Sequence, residues 1–248
     1  MERYLAICWM IAVQVNVGSL VENDHFALVP AHKFSFSSSL SKSRKHFSHE
    51  WDRLKLDPYM ADGGRYRFRR YGLFNLSIIT GRLNCIPDAS FYQDININPL
   101  NGGKLRKFAS LTKDSVENPF LQELMLFDLA QLTSTTSVKV DWLIGVHQIR
   151  IIAMPGVSGN PTPEGVHRDD ETYTVQHLIK RHNIDGGVNY FYGSESEPER
   201  HPSVMKQLKY FDSYYFDHTL WHDVSPIILN MHGNEGYRDI LLIDFSRQ

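Results

Sequence analysis

Cysteine is scarce in this chain: Cys8 and Cys85 are the only two among 248 residues. Two thiols so far apart in sequence exclude a disulfide scaffold and a cysteine-rich zinc module. They favour a reducing compartment, and we therefore expect a cytoplasmic protein. Glycine and proline are also modest in number, at 16 and 11, which excludes a collagen-like or low-complexity chain.

An excess of charge of either sign is absent. The 26 Lys and Arg residues nearly balance the 28 Asp and Glu residues, and the net charge is −2. This balance provides no general attraction to nucleic acid or to an anionic membrane, and we expect neither as a partner. Arg65, Arg67 and Arg69 alternate with aromatic residues, and we interpret them as the solvated face of a half-buried strand rather than a nucleic-acid surface.

A long apolar run is missing as well. The apolar stretch at residues 4–17 is interrupted by Gln14 and Asn16, and it falls short of the ~20 apolar residues that a membrane span needs. Arg3 stands beside Glu2, so the start of the chain lacks the basic region of a secretory leader. We expect a packed helix or strand here, unless the start codon lies elsewhere.

The first half of the chain predicts loops and helices. Residues 32–49 are rich in serine and basic residues, and we expect a mobile loop there, with Ser48 capping a short helix after it. Asn118 followed by proline is a helix-start signal. The apolar residues that follow recur near helical spacing, which predicts an amphipathic helix over residues 120–132.

The second half predicts strands. After residue 140, segments rich in β-branched and aromatic residues are separated by loops that contain Gly, Pro, Asp or Asn. Short strands at this spacing are typical of an antiparallel sandwich or barrel. The segments are residues 140–154, 171–181, 186–193, 206–217 and 238–245. Since no repeat or linker interrupts the sequence, we expect a single domain over residues 1–248; no signal of an oligomeric state is present.

A potential metal-binding motif lies within residues 161–173. In an extended segment alternate side chains share a face, so His167 and Asp169 point the same way and Arg168 points the other. Two histidines and one carboxylate form the facial triad of non-haem Fe(II) oxygenases, which leaves coordination positions open for a 2-oxo acid and O₂. The third ligand must come from elsewhere, and the downstream candidates are His177, His182, His201, His218, His222 and His232.

Two further residues bear on this interpretation. Arg238 begins an apolar segment, and a buried arginine needs an anionic partner; the far carboxylate of a 2-oxo acid fits its guanidinium fork. His218 and His222 have the spacing of the zinc motif HExxH, but Thr219 replaces the glutamate. Their flanks indicate a strand and a turn, so we expect only one of the two to reach a metal.

From about residue 50 to its end, the chain resembles the Fe(II)/2-oxoglutarate-dependent dioxygenase family of free-amino-acid hydroxylases, the L-isoleucine 4-hydroxylase-like group. Residues 1–50 carry no such likeness and are treated as an N-terminal extension. The blocks that carry the resemblance are residues 65–72, 92–108, 147–153, 163–169, 181–187, 217–226 and 237–245.

The resemblance implies a mainly β fold with flanking helices and a double-stranded β-helix core (jelly roll, cupin-like) over residues 140–248. It also implies that His222, which precedes a Val-x-Pro turn, is the third ligand beside His167 and Asp169. Arg238 occupies the position that binds 2-oxoglutarate in the family, and Ser225 is a further residue for that cosubstrate. The implied cofactor and cosubstrates are Fe(II), 2-oxoglutarate and O₂, with ascorbate as reductant in vitro.

The implied reaction is hydroxylation of a free aliphatic L-amino acid similar to isoleucine, leucine or methionine, with release of succinate and CO₂. Arg150 is a candidate clamp for the substrate carboxylate, unless it faces solvent. Glu164 is a candidate for the ammonium, unless it is an exposed loop acid. Asp170 replaces the family's usual glycine, either harmlessly at a left-handed backbone position or as an added substrate contact. Two other functions stay open: an oxygenase of peptide side chains and a non-catalytic, cupin-like metal-binding domain.

Overall fold

The computed structural model describes residues 10–136, 139–230 and 233–248, so Cys8 and His232 lie outside the described residues. The helices are α1 (Val17–Asp24), α2 (Ser38–Ser48), α3 (Lys113–Val116) and α4 (Pro119–Leu132), with 3-10 turns at Ala31–Lys33 and His49–Arg53. The strands are β1 (Ile11–Val13), β2 (Phe26–Val29), β3 (Phe34–Phe36), β4 (Lys55–Leu56), β5 (Arg67–Ser77), β6 (Arg82–Ile86), β7 (Trp142–Ala153), β8 (Tyr173–His182), β9 (Ile184–Gly186), β10 (Asn189–Phe191), β11 (Ser203–Met205), β12 (Ser213–Asp217), β13 (His222–Val224), β14 (Ile227–Leu229) and β15 (Gly236–Arg247).

One large antiparallel sheet dominates the fold. Its strand order is β2-β12-β8-β15-β7-β5-β4, and β6 pairs with β5. The small sheet β11-β10-β13 packs over one face, where the ring of Phe191 lies 5.2 Å from that of Tyr214 and the ring of His222 lies 4.8 Å from that of Phe216. Two antiparallel sheets in face-to-face contact form the predicted jelly-roll core, and each expected strand segment after residue 140 contains a strand.

Helix α4 covers the other face of the large sheet. It begins as predicted: the side chain of Asn118 accepts the backbone N–H of Phe120 at 2.9 Å. Instead of being amphipathic, the helix is buried on most of its surface, and its apolar residues pack with Val175 and Leu241 in the main core. Because strand side chains alternate between faces, the neighbours of these two strand residues face the small sheet. None of the described helices is long and apolar enough to span a membrane.

Residues 32–49 form regular structure, which corrects the expected mobile loop. They contain β3 and the helix α2, whose first turn is capped by the Ser37 side chain accepting the N–H of Leu40. Leu40 and Phe47 are seven positions apart and lie buried on the same side of the helix, so packing outweighs the polar composition. Ser48 is the last residue of α2, and its hydroxyl donates to the Lys45 carbonyl at 2.7 Å instead of capping the next turn.

The strand β5 also differs from expectation. Arg67 and Arg69 are 7% and 6% exposed, so the face they share is buried rather than solvated, and only Arg65, before the strand, is exposed. In the register of the sheet, Arg67 pairs with Ile151 of β7, and Ile151 pairs with Arg238 of β15. These side chains therefore point into the space between the large and small sheets.

Candidate metal centre

His167, Asp169 and His222 converge at the edge of this space. The two histidines face each other across an isolated antiparallel bridge, in which the N–H of each donates to the carbonyl of the other at 3.0 and 2.9 Å. One ligand atom from each of the three residues lies within 4.8 Å of the other two. The Asp169 carboxylate is 3.6 Å from His167 Nε2 and 3.9 Å from His222 Nε2. The alternation predicted for His167 and Asp169 thus places both on the same side.

Backbone carbonyls determine which nitrogen of each ring is free. His167 Nδ1 lies 2.9 Å from the Gly165 carbonyl, and His222 Nδ1 lies 3.2 Å from the Leu220 carbonyl. A carbonyl only accepts, so both Nδ1 atoms carry the hydrogen and the Nε2 atoms are left for a cation. The Thr174 hydroxyl donates to Asp169 Oδ2 at 3.1 Å and orients that carboxylate.

The electrostatics of the cluster also fit a cation. Burial opposes the charge on His167, but Asp169 and Glu164 outweigh it and raise the pKa of His167 to about 9. Burial lowers the pKa of His222 to about 4. The same negative charge on Asp169 and Glu164 that favours a proton on His167 also favours a divalent cation at this position. Two nitrogens and one oxygen are a donor set suited to Fe(II).

Arg238 lines the same cleft and is 1% exposed. Its Nη2 donates to Gln207 Oε1 at 2.9 Å, whereas Nε and Nη1 meet no hydrogen-bond acceptor among the described residues. No described carboxylate lies within 4.0 Å of its guanidinium, and burial lowers the pKa of Arg238 to about 10. A buried cation with two unused donors is a receptor for an external carboxylate.

Ser225 lies outside the cleft, which corrects the expectation that it contacts a cosubstrate. The Ser225 hydroxyl accepts the backbone N–H of Val188 at 3.0 Å, and its own N–H donates to the Val188 carbonyl. It therefore joins two chain segments and is absent from the lining of the cleft.

Arg150 faces away from the cleft, so the structure does not place it where the expected substrate clamp would lie. Its Nε and Nη2 donate to the two carboxylate oxygens of Asp239 at 2.7 and 2.8 Å. The cleft is lined instead by Ile149 and Ile151, its neighbours on β7. The alternation of the strand places Arg150 on the opposite face from both of them.

Asp170 is on the surface, and Glu164 is in the cleft. Asp170 is exposed, accepts the Asp94 N–H at 3.3 Å and has no left-handed backbone, a position that agrees with a harmless replacement of the glycine and not with a substrate contact. Glu164 lines the cleft, with one carboxylate oxygen 3.8 Å from His167 Nε2. Its other oxygen is buried and has no hydrogen-bond partner among the described residues.

Four charged residues line the cleft although the sequence did not predict them there: three arginines in addition to Arg238, and one glutamate. Arg67 and Arg69 lie on β5, Arg106 lies on the loop that follows β6, and Glu171 follows the metal motif. Burial, with Asp169 and Asp170 nearby, raises the pKa of Glu171 to about 8. The alternation of residues 65–69 predicted that Arg67 and Arg69 share a face, but it contained no signal of which way that face points.

Comparison with known proteins agrees with this architecture. Residues 48–244 match the family described as 2OG-Fe dioxygenase. The chain is 27% identical over 227 residues to an L-isoleucine-4-hydroxylase of Bacillus thuringiensis, covering 87% of this chain and 93% of that protein. It is 26% identical over 234 residues to a 3(1)-hydroxy-L-isoleucine 4-dioxygenase of Pantoea ananatis (strain AJ13355), covering 92% and 91%.

A solved structure, that of a bsmA homologue from Methylobium petroleophilum PM1, superimposes with a TM-score of 0.79 at 21% identity, covering 95% of each chain. That likeness shows the shared fold. The family match covers most of the chain and includes the converging histidines, the aspartate and the buried arginine. The protein therefore belongs to the 2OG-Fe dioxygenase family, whose members are oxidoreductases that use Fe(II), 2-oxoglutarate and O₂.

Proposed function

We propose that this protein hydroxylates a free aliphatic L-amino acid, using Fe(II), 2-oxoglutarate and O₂ and releasing succinate and CO₂. One observation supports the proposal: the cleft that holds the candidate metal ligands also holds a buried cation, Arg238, and a buried carboxylate oxygen, on Glu164, neither of which has a charged partner in the described part of the chain. The first suits the distal carboxylate of 2-oxoglutarate, and the second suits an ammonium group.

In this proposal His167, Asp169 and His222 hold Fe(II) through two Nε2 atoms and one carboxylate oxygen. Bound iron supplies the activation of O₂ that is coupled to oxidative decarboxylation of 2-oxoglutarate, with one oxygen atom entering succinate and the other entering the substrate C–H bond. The Gly165 and Leu220 carbonyls hold the histidine rings, and the Thr174 hydroxyl holds the aspartate. Rigid support of this kind maintains ligand geometry through turnover.

The walls of the cleft favour a small aliphatic substrate. Apolar side chains from several strands and a loop line it, and charged groups stand among them. The apolar lining includes Phe91, Ile149, Ile151, Ile240 and Leu242. An aliphatic side chain gains from burial against such a wall, and the walls exclude bulk water from the reacting carbon. The two hydroxylase and dioxygenase relatives carry isoleucine-type substrates in their names, which supports the same choice.

The test is succinate formation by protein reconstituted anaerobically with Fe(II) and then supplied with ascorbate, 2-oxoglutarate, O₂ and each proteinogenic L-amino acid in turn. Mass spectrometry reports a product heavier by one oxygen atom. Succinate in equal amount to an oxygenated aliphatic amino acid supports the proposal. Succinate without an oxygenated amino acid redirects the search to peptides, and its absence with iron bound favours a non-catalytic metal-binding domain.

A further inference from the structure

Four arginines are buried around the cleft, and they differ in whether a carboxylate contacts them. Arg67 has Asp57 Oδ2 at 2.7 Å from its Nε, and Arg69 has the same oxygen at 3.8 Å from its Nη1. Arg106 and Arg238, at 2% and 1% exposure, have no carboxylate within 4.0 Å anywhere in the described ranges. The cleft thus contains two buried arginines without an acid in direct contact.

Arg106 is held rigidly at the neck of a loop. Its N–H and carbonyl pair with those of Phe91 at 2.8 and 2.9 Å, which closes the loop at residues 92–105. Its Nη2 donates to Gln93 Oε1 at 3.0 Å, and its guanidinium lies 4.8 Å from the centroid of the Phe91 ring. Its Nε has no hydrogen-bond partner among the described residues. These contacts fix the orientation of the side chain and leave part of its donor capacity unused.

A buried unpaired arginine is costly unless an anion arrives from outside. Burial lowers the pKa of Arg106 and Arg67 adds to that effect, against the opposing charges of Asp57, Glu164 and Glu171. Arg67 Nη2 and Arg69 Nε are also buried and without an acceptor in the described part of the chain, so the donors of three arginines remain unused at this end of the cleft. Such a group stabilises a carboxylate strongly because the receptor is already desolvated and oriented.

We propose that Arg106, supported by Arg67 and Arg69, binds the α-carboxylate of the substrate, and that Glu164 binds its ammonium. This inference rests on the proposed function, in which Arg238 is taken by the distal carboxylate of 2-oxoglutarate. A free α-amino acid satisfies the unused donors and the unused Glu164 oxygen together. An amine satisfies only the Glu164 oxygen, and an internal peptide residue satisfies neither set, so the arrangement selects free α-amino acids.

The test compares Arg106→Gln and Arg106→Lys with the wild type, using the panel amino acid that the wild type turns over fastest and L-isoleucine for calorimetric binding. Loss of a charge-assisted pair raises the KM for the amino acid about 10- to 100-fold in Arg106→Gln and less in Arg106→Lys, while the KM for 2-oxoglutarate stays unchanged. The wild type prefers L-isoleucine to 2-methylbutylamine and L-isoleucinamide, and Arg106→Gln loses that preference.

A stability measurement separates this role from a purely structural one. Arg106→Met removes an unpaired buried cation, so the melting temperature of the metal-free protein stays the same or rises, whereas an internal ion pair with Glu164 would make it fall. If the wild type turns over an amino acid and Arg106→Gln has the same KM for that amino acid, this inference alone is overturned. If the iron-loaded wild type neither turns over nor binds any amino acid of the panel, the proposed function is overturned, and this inference with it.

Discussion

Arg67 and Arg238 lie on one cross-strand row of the large sheet, each in register with Ile151 between them. At the usual spacing of neighbouring strands, their backbones are about 10 Å apart. The two differ in one respect: Asp57 neutralises Arg67 at 2.7 Å, whereas Arg238 has no described carboxylate within 4.0 Å. The same residue type on the same row is therefore a supporting group in one case and a receptor for an external anion in the other.

His218 and His222, four residues apart, provide a matched pair of variants that tests the metal centre. We expect His222→Ala to lower iron affinity at least about 100-fold and to abolish succinate formation, because it removes one of three ligands. His218 is exposed in the turn before β13, so we expect His218→Ala to retain both iron binding and succinate formation. Iron content after dialysis and succinate yield are the measurements. Equal iron loss in both variants, or none in His222→Ala, would contradict the assignment.

Arg238 is tested through the cosubstrate. We expect Arg238→Gln to raise the KM for 2-oxoglutarate about 10- to 100-fold, since a charge-assisted pair contributes about 1.5–3 kcal/mol. The KM for the amino acid changes little in this variant. Initial-rate kinetics with each substrate varied in turn measure both constants, and Arg106→Gln shows the opposite pattern. If the two variants exchanged their effects, the two carboxylate sites would be assigned the wrong way round.

Arg150 is tested through stability rather than activity. Its partner Asp239 has a side chain only 2% exposed, so Arg150→Gln leaves a buried carboxylate without its counter-ion. We expect a loss of about 3 kcal/mol in the free energy of unfolding, measured with urea, and unchanged KM values for both substrates. The double variant Arg150→Met, Asp239→Leu recovers much of the loss because no charge remains buried. A change in the amino-acid KM without a loss of stability would restore Arg150 as a substrate residue.

His147 makes stability depend on pH. Its Nδ1 contacts Arg69 Nη2, which can only donate, and its Nε2 lies 2.7 Å from Asp244, so the folded ring is neutral with its hydrogen on Nε2. Burial and then Arg69 hold the pKa of His147 well below its ordinary value. In the unfolded chain the ring binds a proton near pH 6.5, so protons favour unfolding below that pH.

The stability that His147 contributes is therefore present above about pH 6.5 and is lost as the pH falls, by up to about 1.4 kcal/mol per pH unit. Chemical denaturation of the metal-free protein measures this loss at about pH 7.5, 6.5 and 5.5, values on both sides of the ordinary histidine pKa. The quantity of interest is the difference between wild type and His147→Gln, because this difference isolates the contribution of the His147 ring. Parallel curves for the two proteins would show that the ring binds a proton equally well in the folded and unfolded states, which contradicts this prediction.

Much of the candidate site was accessible from local sequence pattern. A period of two placed His167 and Asp169 on one side of an extended segment, and the resemblance to a family placed His222 and Arg238 with them. Helix α4 began at the predicted cap because an Asn-Pro pair acts locally. By contrast, the mobile loop predicted for residues 32–49 rests on composition, which does not register that two spaced apolar residues, Leu40 and Phe47, hold a helix against the core.

The sequence by itself determined which residues share a side: His167 with Asp169, Arg67 with Arg69, and Arg150 apart from Ile149 and Ile151. Only the tertiary structure decided which of those sides points into the cleft. The physical reason is that both faces of the large sheet are covered, by helices on one face and by the small sheet on the other, so apolar residues mark neither as the interior of the site. Whether a buried arginine is paired or free depends on acids from distant segments, and no local pattern contains that information.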